Sequence, residues 1–495
     1  MATAARRPRP RKKVFVRREI WSLERKNIWD PITLAYAKAI QTMKTKQFPQ
    51  DQTNYEYQAS MHGSNTTGGG GPDGVWNMCQ HQSWFFFPWH RMYILWFEHI
   101  VRDIVRAQGG PANWALPYWN WETNRVLPPA FREHNLPQSA GGGPNPLFRQ
   151  DRRAVINSGN PMAPGVVDTT QAMNAAQFNG TFGFGGGVIN NPSHFGAGLT
   201  GLLEMQPHNI VHSTIGGPTG VMNSAESPLD PIFWLHHANV DRLWGRWLRQ
   251  GNGRANPAQQ QWLDQGFDFY KAPGQKTTQH CKGVRSTPPL GYRYDDDPPP
   301  VALPLTAIVP EQAEAALRGV EALTVVNPEP KEVGASGPVE LGSGTSSADI
   351  PLAAEPAQEL GLLAQPDTAP SRVALVVEGI RIEGPPSPYE VYLNLDDPGE
   401  GGEHDSPHFV GFLEFFGADH EHGEHAEHDR GVTRAFDITS LVHQLQEEGA
   451  WDPSRARVSF VPARLFEEEE SGELLPAEVE GDPKVQVGAV RILSE

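Results

Sequence analysis

Two stretches in the first part of the chain carry apolar residues at the spacing of an α-helix. They span residues 84–106 and 231–248, and charged residues interrupt the apolar ones in both. A repeat near 3.6 residues places such side chains on one helix face, so we predict two long amphipathic helices. The glycine run 68–71 and the Gly-, Asn- and Pro-rich segment 141–198 predict long loops. In a compact domain such loops usually surround a functional site.

The pattern changes towards the C-terminus, where apolar and polar residues alternate in short runs. Residues 389–395 have this character, residues 373–382 form a run rich in β-forming residues, and 409–416, 457–462 and 485–493 are further strand candidates. Several short strands separated by turns predict a β-sandwich. Residues 296–370 are dominated by Pro, Ala, Glu and Gly without sustained periodicity, which predicts a linker. We therefore expect a mainly α domain at 1–295, a linker at 296–370 and a β-sandwich at 371–495.

Composition narrows the classes of partner. The 495 residues carry a formal net charge of −17, which argues against nucleic acid and against an anionic membrane surface. The sequence contains no run of about 18 apolar residues, so it predicts no membrane-spanning helix. Residues 1–13 are basic, but no apolar region of the secretory type follows them, so a cytoplasmic location is the default expectation. The two cysteines, Cys79 and Cys281, cannot form a disulfide framework.

Three groups of histidines suggest metal chemistry. His208 and His212 are four residues apart, so a helix would place both imidazoles on one face, as one metal ion requires, although such pairs often have no ligand role. His81 and His90 lie in an aromatic stretch, where a buried imidazole needs a metal or a hydrogen-bond partner. His236 and His237 are adjacent, so only one of them is expected to face a site. Asp241, one turn later, is placed to orient this helix or its ligands.

The segments 81–98 and 230–241 resemble the two copper signatures of the tyrosinase and polyphenol oxidase family, the type-3 copper proteins. This resemblance implies a four-helix bundle around two copper ions. It also implies oxidation of small phenols by O₂, from o-diphenols to o-quinones and with o-hydroxylation of monophenols. The family pattern assigns three histidines to each ion. The copper A ligands would be His62, His81 and His90, and the copper B ligands would be His208, His212 and His237.

The same resemblance suggests roles for three further residues. In some family members a cysteine placed like Cys79 forms a thioether with the histidine that corresponds to His81; a buried free thiol is the alternative. Glu204 and Asn209, which flank His208, match a pair that holds a water able to take the proton of a phenol. A glutamate that caps a helix is the alternative for Glu204. Residues 216–228 contain no aromatic side chain, which predicts an open entrance on that side.

The C-terminal residues resemble the domain that covers the coppers in latent plant enzymes. We therefore expect the chain's own C-terminal domain to act as a lid. We expect a protease that cuts between about 296 and 370, or mild detergent or acid, to activate the enzyme. The sequence does not identify the residue that blocks the site. The His- and Glu-rich run 419–428 could bind copper or zinc, or could form a solvated loop.

Three other functions are compatible with these patterns. A haemocyanin-like oxygen carrier would bind O₂ reversibly without turning over catechol. A copper-storage protein would hold more than two ions, with the run 419–428 as its additional site. An o-aminophenol oxidase would differ only in substrate, which the sequence does not distinguish.

Overall fold

A computed structural model of the chain describes most of its residues. They are residues 13–64, 70–192, 194, 199–298, 331–353, 372–384, 386–397, 399, 401–402, 404–416, 432–452, 454–468, 473–476 and 484–494. The run 419–428 lies outside the described residues, as does part of the glycine run 68–71. Within the described residues, no helix is both long and apolar enough to cross a membrane.

Helices dominate the first 298 residues. They are α1 (Ile20–Glu24), α2 (Pro31–Lys44), α3 (Tyr55–Ser60), α4 (Phe86–Ala107), α5 (Ala154–Ser158), α6 (Thr170–Asn174), α7 (Ile210–Gly216), α8 (Ile232–Arg249) and α9 (Gln260–Asp264). Helix α4 packs against both α2 and α8, and α7 brings His212 against His237 of α8. The two predicted helices correspond to α4 and α8. The described part of segment 141–198 contains only short helices among its turns, as predicted.

The long helices begin where local chemistry allows and are held by aromatic packing. Asp30 caps α2, because its carboxylate accepts a hydrogen bond from the Ile32 N–H at 2.8 Å, and Pro31 supplies a favourable first residue. Helices α4 and α8 pack through Phe97 and Trp234, whose rings stack with centroids 3.4 Å apart. Both helices are buried along most of their length, so their sequences are apolar over more than one face.

Four short strands complete this region. They are β1 (Phe15–Arg17), β2 (Gly266–Ala272), β3 (Gln275–His280) and β4 (Tyr292–Tyr294). Strands β2 and β3 form an antiparallel hairpin, and β1 pairs with β4 in parallel, with Phe15 opposite Tyr292. The first and last parts of the helical region are therefore joined directly.

A buried ionic network ties β1, β4, α4 and α8 together. The Asp241 carboxylate of α8 accepts hydrogen bonds from Arg91 of α4, from Arg17 of β1 and from the hydroxyls of Tyr292 and Tyr294. All five side chains are almost fully buried. The arginines lower the pKa of Asp241 against the effect of burial, so the carboxylate stays charged. Asp241 therefore fixes the two central helices, and its described bonds include none to a histidine.

The C-terminal region is a sandwich of two sheets. Its strands are β5 (Lys331–Ala335), β6 (Val339–Leu341), β7 (Ser346–Pro351), β8 (Val373–Glu383), β9 (Tyr389–Leu393), β10 (Phe409–Leu413), β11 (Val432–Asp437), β12 (Arg455–Pro462), β13 (Arg464–Glu467), β14 (Leu474–Pro476), β15 (Lys484–Val487) and β16 (Ala489–Ser494). One sheet has the order β10-β9-β12-β7, and the other has the order β5-β16-β8-β15-β6, with β11 also paired to β8. Strands β13 and β14 form a separate two-stranded sheet. Helix α10 (Thr439–Glu447) contacts β8.

One sequence-based boundary needs correction. Strands β5, β6 and β7 lie inside 296–370, so this segment is not a linker throughout. These strands have only three to six residues and bury few large side chains, among them Val333, Leu341 and Ile350. Their periodicity is too short to stand out in a segment rich in Pro, Gly and Ser. Pairing with distant strands, such as β7 with β12, organises them instead.

We predict that Asp241→Asn lowers the free energy of unfolding by about 3–5 kcal/mol, because it leaves the buried Arg91 without its counter-charge, whereas Arg17 keeps its ion pair with Glu98. Thermal unfolding of the full chain measures the effect. Asp103→Asn is the control, since Asp103 pairs with Arg106 on the surface of α4 with both side chains about two-thirds exposed. Its loss should cost less than about 1 kcal/mol. Equal shifts for the two variants would contradict the role given to the buried network.

Candidate metal centre

Three histidines from the first part of the chain converge beside α4. His62 follows α3, His81 lies in the loop before α4 and His90 lies in α4 itself, and all three are buried. One nitrogen of each ring lies within 4.8 Å of the others. His62 Nδ1 donates to the Ala225 carbonyl at 2.7 Å, and His90 Nδ1 donates to the Phe86 carbonyl at 2.8 Å. Because a carbonyl only accepts, Nε2 of both rings presents a lone pair to the cluster.

A second group forms where α7 meets α8. His237 Nε2 lies 3.3 Å from His208 Nε2 and 3.4 Å from His212 Nε2. His212 Nδ1 donates to the Met222 carbonyl at 2.7 Å, and His208 Nδ1 donates to the Asn209 side-chain oxygen at 2.7 Å. These bonds fix the tautomers of His208 and His212, so both rings direct Nε2 lone pairs inward. The four-residue spacing therefore brings the two rings together, as the sequence predicts.

The backbone before α7 explains how His208 enters the site. Residues 204–209 form a wide helical turn that Gln206 interrupts, with φ −142° and ψ 123°. The chain restarts its helix at Pro207, a residue suited to the first turn because it lacks an N–H donor. His208 consequently lies one turn before His212 on a face directed at α8.

The adjacent histidines of α8 point in different directions. His237 directs Nε2 at the other two rings, whereas His236 Nδ1 accepts a hydrogen bond from the Trp121 indole N–H at 3.1 Å. His236 is nevertheless close, with its ring centroid 4.7 Å from that of His212, and one of its nitrogens lies within 4.8 Å of the second group. The geometry favours His237 as the ligand and gives His236 a neighbouring position.

The two groups form one buried cluster. The rings of His90 and His237 stack across the boundary with centroids 4.4 Å apart, and those of His81 and His208 are 6.0 Å apart. Burial and the neighbouring rings lower the pKa of His90 and His237 well below the ordinary value, and burial lowers the pKa of His208 to about 3. The imidazoles are therefore neutral at neutral pH, which is the form that binds metals.

Copper fits this donor set. Lone pairs of several buried nitrogens point at one another, and His90 Nε2 has no hydrogen-bond partner among the described residues. Such an arrangement is repulsive and poorly solvated unless a cation lies between the rings. Neutral imidazole is a ligand that copper accepts, and two sets of three leave room for a further ligand. The residues present thus fit a pair of copper ions.

Cys79 lies against the first group. Its Sγ is 3.3 Å from His81 Nδ1 and 3.1 Å from His194 Nδ1, and burial raises the pKa of its thiol. The sulfur is therefore next to the ring to which the predicted thioether would join it. The other cysteine, Cys281, is buried in the turn after β3.

Glu204 and Asn209 lie on either side of His208 but bond to different partners. One Glu204 oxygen accepts the backbone N–H of Gln82 at 2.8 Å, so the carboxyl holds the loop of His81 rather than capping its own helix. Burial raises the pKa of Glu204 to about 8. The Asn209 amide donates to a carboxylate oxygen of Glu414 at 2.9 Å. Glu414 belongs to the C-terminal region, so the bond between Asn209 and Glu414 joins the two regions.

Phe416 places an aromatic ring over the histidines. Its centroid is 4.4 Å from that of His212, 5.6 Å from His81 and 5.9 Å from His208. The residue follows β10 and so belongs to the C-terminal region. Sequence reasoning missed it, because a phenylalanine after a strand resembles any other core residue. Its position over the histidines becomes visible only when the C-terminal sandwich is seen docked on the helical region.

Segment 216–228, which contains no aromatic residue, orients two histidines instead of forming a gate over the site. Its residues Met222 and Ala225 are buried, and their carbonyls accept the Nδ1–H bonds of His212 and His62. We expect an open entrance on this side, yet in the full chain Phe416 fills the space above His212.

Strand β13 holds the C-terminal region against the helical one. The Ala163 N–H donates to the Leu465 carbonyl at 2.8 Å, and the Glu467 N–H donates to the Pro161 carbonyl at 3.0 Å. Arg125 adds an ion pair to Glu467 at 2.5 Å. Two backbone bonds and an ion pair thus hold one flank of the interface between the two regions.

Comparison with known proteins gives two family matches. Residues 52–250 match the common central domain of tyrosinase, and residues 329–474 match a domain of unknown function, DUF7868. The first match includes all six predicted copper ligands. The second match begins before β5, so it assigns the strands found within 296–370 to the C-terminal unit.

Similar proteins extend the match over nearly the whole chain. A tyrosinase of Hahella sp. (strain CCB-MM4), HcTyr1, is 34% identical over 491 residues, which cover 93% of this chain and 96% of the relative. A chloroplastic polyphenol oxidase of Malus domestica is 27% identical over 86% of this chain and 72% of its own. The structure of latent apple tyrosinase shares the fold, with a TM-score of 0.62, 21% identity and coverage of 99% and 98%.

The comparison overturns the expectation of a cytoplasmic location. The Malus relative is a chloroplastic enzyme, and relatives from tomato and potato are also chloroplastic. The expectation rested on the lack of an apolar secretory segment, but transit peptides are amphipathic and contain no such segment. That lack therefore does not indicate the cytoplasm.

We predict that His237→Ala binds about one copper ion fewer per chain than the parent, because a site that keeps two imidazoles holds the ion weakly. His236→Ala is the matched control, since His236 is adjacent and equally buried. It should keep the parent copper content, as measured by metal analysis after dialysis. Loss of copper from His236→Ala with full retention by His237→Ala would reverse the assignment.

Proposed function

Because the chain belongs to the tyrosinase family, whose members are oxidoreductases with a dinuclear copper centre, we propose that it oxidises phenols with O₂. Two o-diphenols and one O₂ give two o-quinones and two waters. One monophenol and one O₂ give one o-quinone and one water, with hydroxylation beside the original hydroxyl. Both reactions balance without a further reductant.

The observation that carries this proposal is the pair of histidine groups beneath an aromatic ring. We assign His62, His81 and His90 to copper A and His208, His212 and His237 to copper B, and we propose that a thioether joins Cys79 to His81. When bound, the two copper ions supply the redox chemistry with O₂. The rings around them are buried and their described tautomers are fixed, so the ligands are oriented before the metal arrives.

Phe416 marks where a substrate would lie. Its ring packs on that of His212 with an interplanar angle of 31°, and it contacts rings of both groups. A phenol has nearly the size and shape of a phenylalanine ring. Once Phe416 leaves, a phenol can take the same place with its hydroxyl directed at the metals. The site therefore suits single aromatic rings, which include o-aminophenols as well as phenols.

We assign Glu204 and Asn209 to proton transfer. They flank His208 from two sides, and one oxygen of the Glu204 carboxyl has no hydrogen-bond partner among the described residues. Such an atom can hold a water close to copper B. A water held there can take the proton from a monophenol hydroxyl as it approaches the metals.

The full chain corresponds to a latent form, in line with its latent structural relatives. We propose that a protease activates it by cutting between β4 and β5, which separates the sandwich from the helical region. The contacts of β13 and Phe416 must then be lost together.

We predict that Phe416→Ala raises kcat/KM for 4-methylcatechol in the full-length protein by at least about tenfold, because removing the ring opens the substrate space. Oxygen consumption at equal copper loading measures the change. Phe415→Ala is the matched control. Phe415 packs on Tyr389 inside the sandwich, with centroids 6.1 Å apart, so its loss should leave the copper site covered. An equal gain in both variants would indicate general loosening of the lid rather than removal of a plug.

We predict that Glu204→Gln, in the Phe416→Ala protein, lowers kcat/KM for p-cresol by about 10²–10⁴, the usual contribution of a general base. The rate with 4-methylcatechol should change by only a few-fold. Glutamine keeps an oxygen that can accept the Gln82 N–H, so the His81 loop stays in place. Equal losses with both substrates would argue against a role in deprotonating monophenols.

A further inference from the structure

A buried charged pair of the C-terminal sandwich reaches the copper site beside Phe416. Glu414 follows β10 and Arg434 lies in β11; their side chains are 0% and 1% exposed, and Arg434 Nε donates to Glu414 at 2.7 Å. Burying a carboxylate is costly, and a single arginine bond does not satisfy both of its oxygens. The other hydrogen bonds of Glu414 therefore indicate what holds it there.

The Glu414 carboxylate accepts two further hydrogen bonds, both from groups at the active site. One oxygen accepts the Phe416 N–H at 2.8 Å, which fixes the backbone of the plug. The other accepts the side-chain N–H of Asn209 at 2.9 Å. The Asn209 oxygen already accepts the Nδ1–H of His208. The carboxylate thus takes up a donor of Asn209, the residue that we assign to water binding, while the ring of Phe416 occupies the space next to it.

We propose that the lid inhibits by two separable means: Phe416 excludes the substrate, and the Glu414–Arg434 pair withdraws Asn209 from proton transfer. This inference rests on the proposed function of Asn209 and Glu204. It implies that opening the space alone restores oxidation of o-diphenols more fully than hydroxylation of monophenols. The two substrate classes should therefore respond differently to changes in the pair.

The test uses full-length protein that carries Phe416→Ala, so that substrate can enter. Glu414→Leu with Arg434→Met is then added, which removes both charges and leaves no lone buried ion. The readout is the ratio of kcat/KM for p-cresol to that for 4-methylcatechol, two compounds that differ by the hydroxyl added. We expect the ratio to rise about tenfold, the scale of a hydrogen bond to a charged group. The rate with 4-methylcatechol should stay within about twofold.

A second pair of substitutions controls for a loosened lid. Arg125→Met with Glu467→Leu removes the ion pair at β13, which lies at the interface but does not contact Asn209. If this change opens the lid further, it should raise both rates in parallel and leave the ratio unchanged. Copper content and thermal unfolding of each variant verify that the centre and the sandwich are intact.

Each result decides the question. A ratio that rises only when Glu414 and Arg434 are replaced supports the second means of inhibition. A ratio that stays constant, or rises equally in the β13 control, overturns it. Glu204→Gln in the same Phe416→Ala protein separates the two claims. If that change leaves the ratio unaltered, the proposed proton-transfer role fails; if it lowers the ratio while the Glu414–Arg434 replacement does not raise it, only the inference about the lid fails.

Discussion

The structure depends on burying seven imidazoles close together, six of which are the proposed copper ligands. Burial keeps the rings neutral, and nearby nitrogens with inward lone pairs repel one another unless a cation lies between them. Carbonyls of Phe86, Met222 and Ala225 fix the tautomers from outside. Binding of the metal pair therefore completes the core, and the same geometry that makes the apo site unfavourable prepares it for copper.

The helices that carry these rings are fixed by a second buried system of charges. Asp241 joins α8 to α4 and to the paired strands β1 and β4, so residues from both ends of the helical region meet one carboxylate. Aromatic stacking between α4 and α8 supports the same arrangement. A rigid pair of helices suits the proposed centre, because α4 carries His90 and α8 carries His237, one proposed ligand of each ion. The sandwich then adds Phe416 and Glu414 from outside this frame.

The parts that the sequence could predict are those with long local signals. Helices α4 and α8, the spacing of His208 and His212, and the two copper signatures are each contained in one continuous segment. Phe416, Glu414 and Arg434 carry no such signal, because their roles arise only when strands of the sandwich dock on the histidines. Strands β5–β7 escaped notice for a related reason: they are short and are stabilised by partners far along the chain. Asp241 was expected near the ligands, but its bonds to Arg91 and two tyrosines could not be read from its position one turn after His237.

The measurement that tests the account most directly is copper quantification combined with an O₂-dependent absorption spectrum of the full-length protein. A dinuclear centre predicts about two copper ions per chain and an absorption change that appears when O₂ is added to the reduced protein. Both properties should be present before any activation, because the histidines are already in place beneath Phe416. A protein that holds about one copper ion per chain, or two ions whose spectrum is indifferent to O₂, would contradict the dinuclear centre on which the account rests.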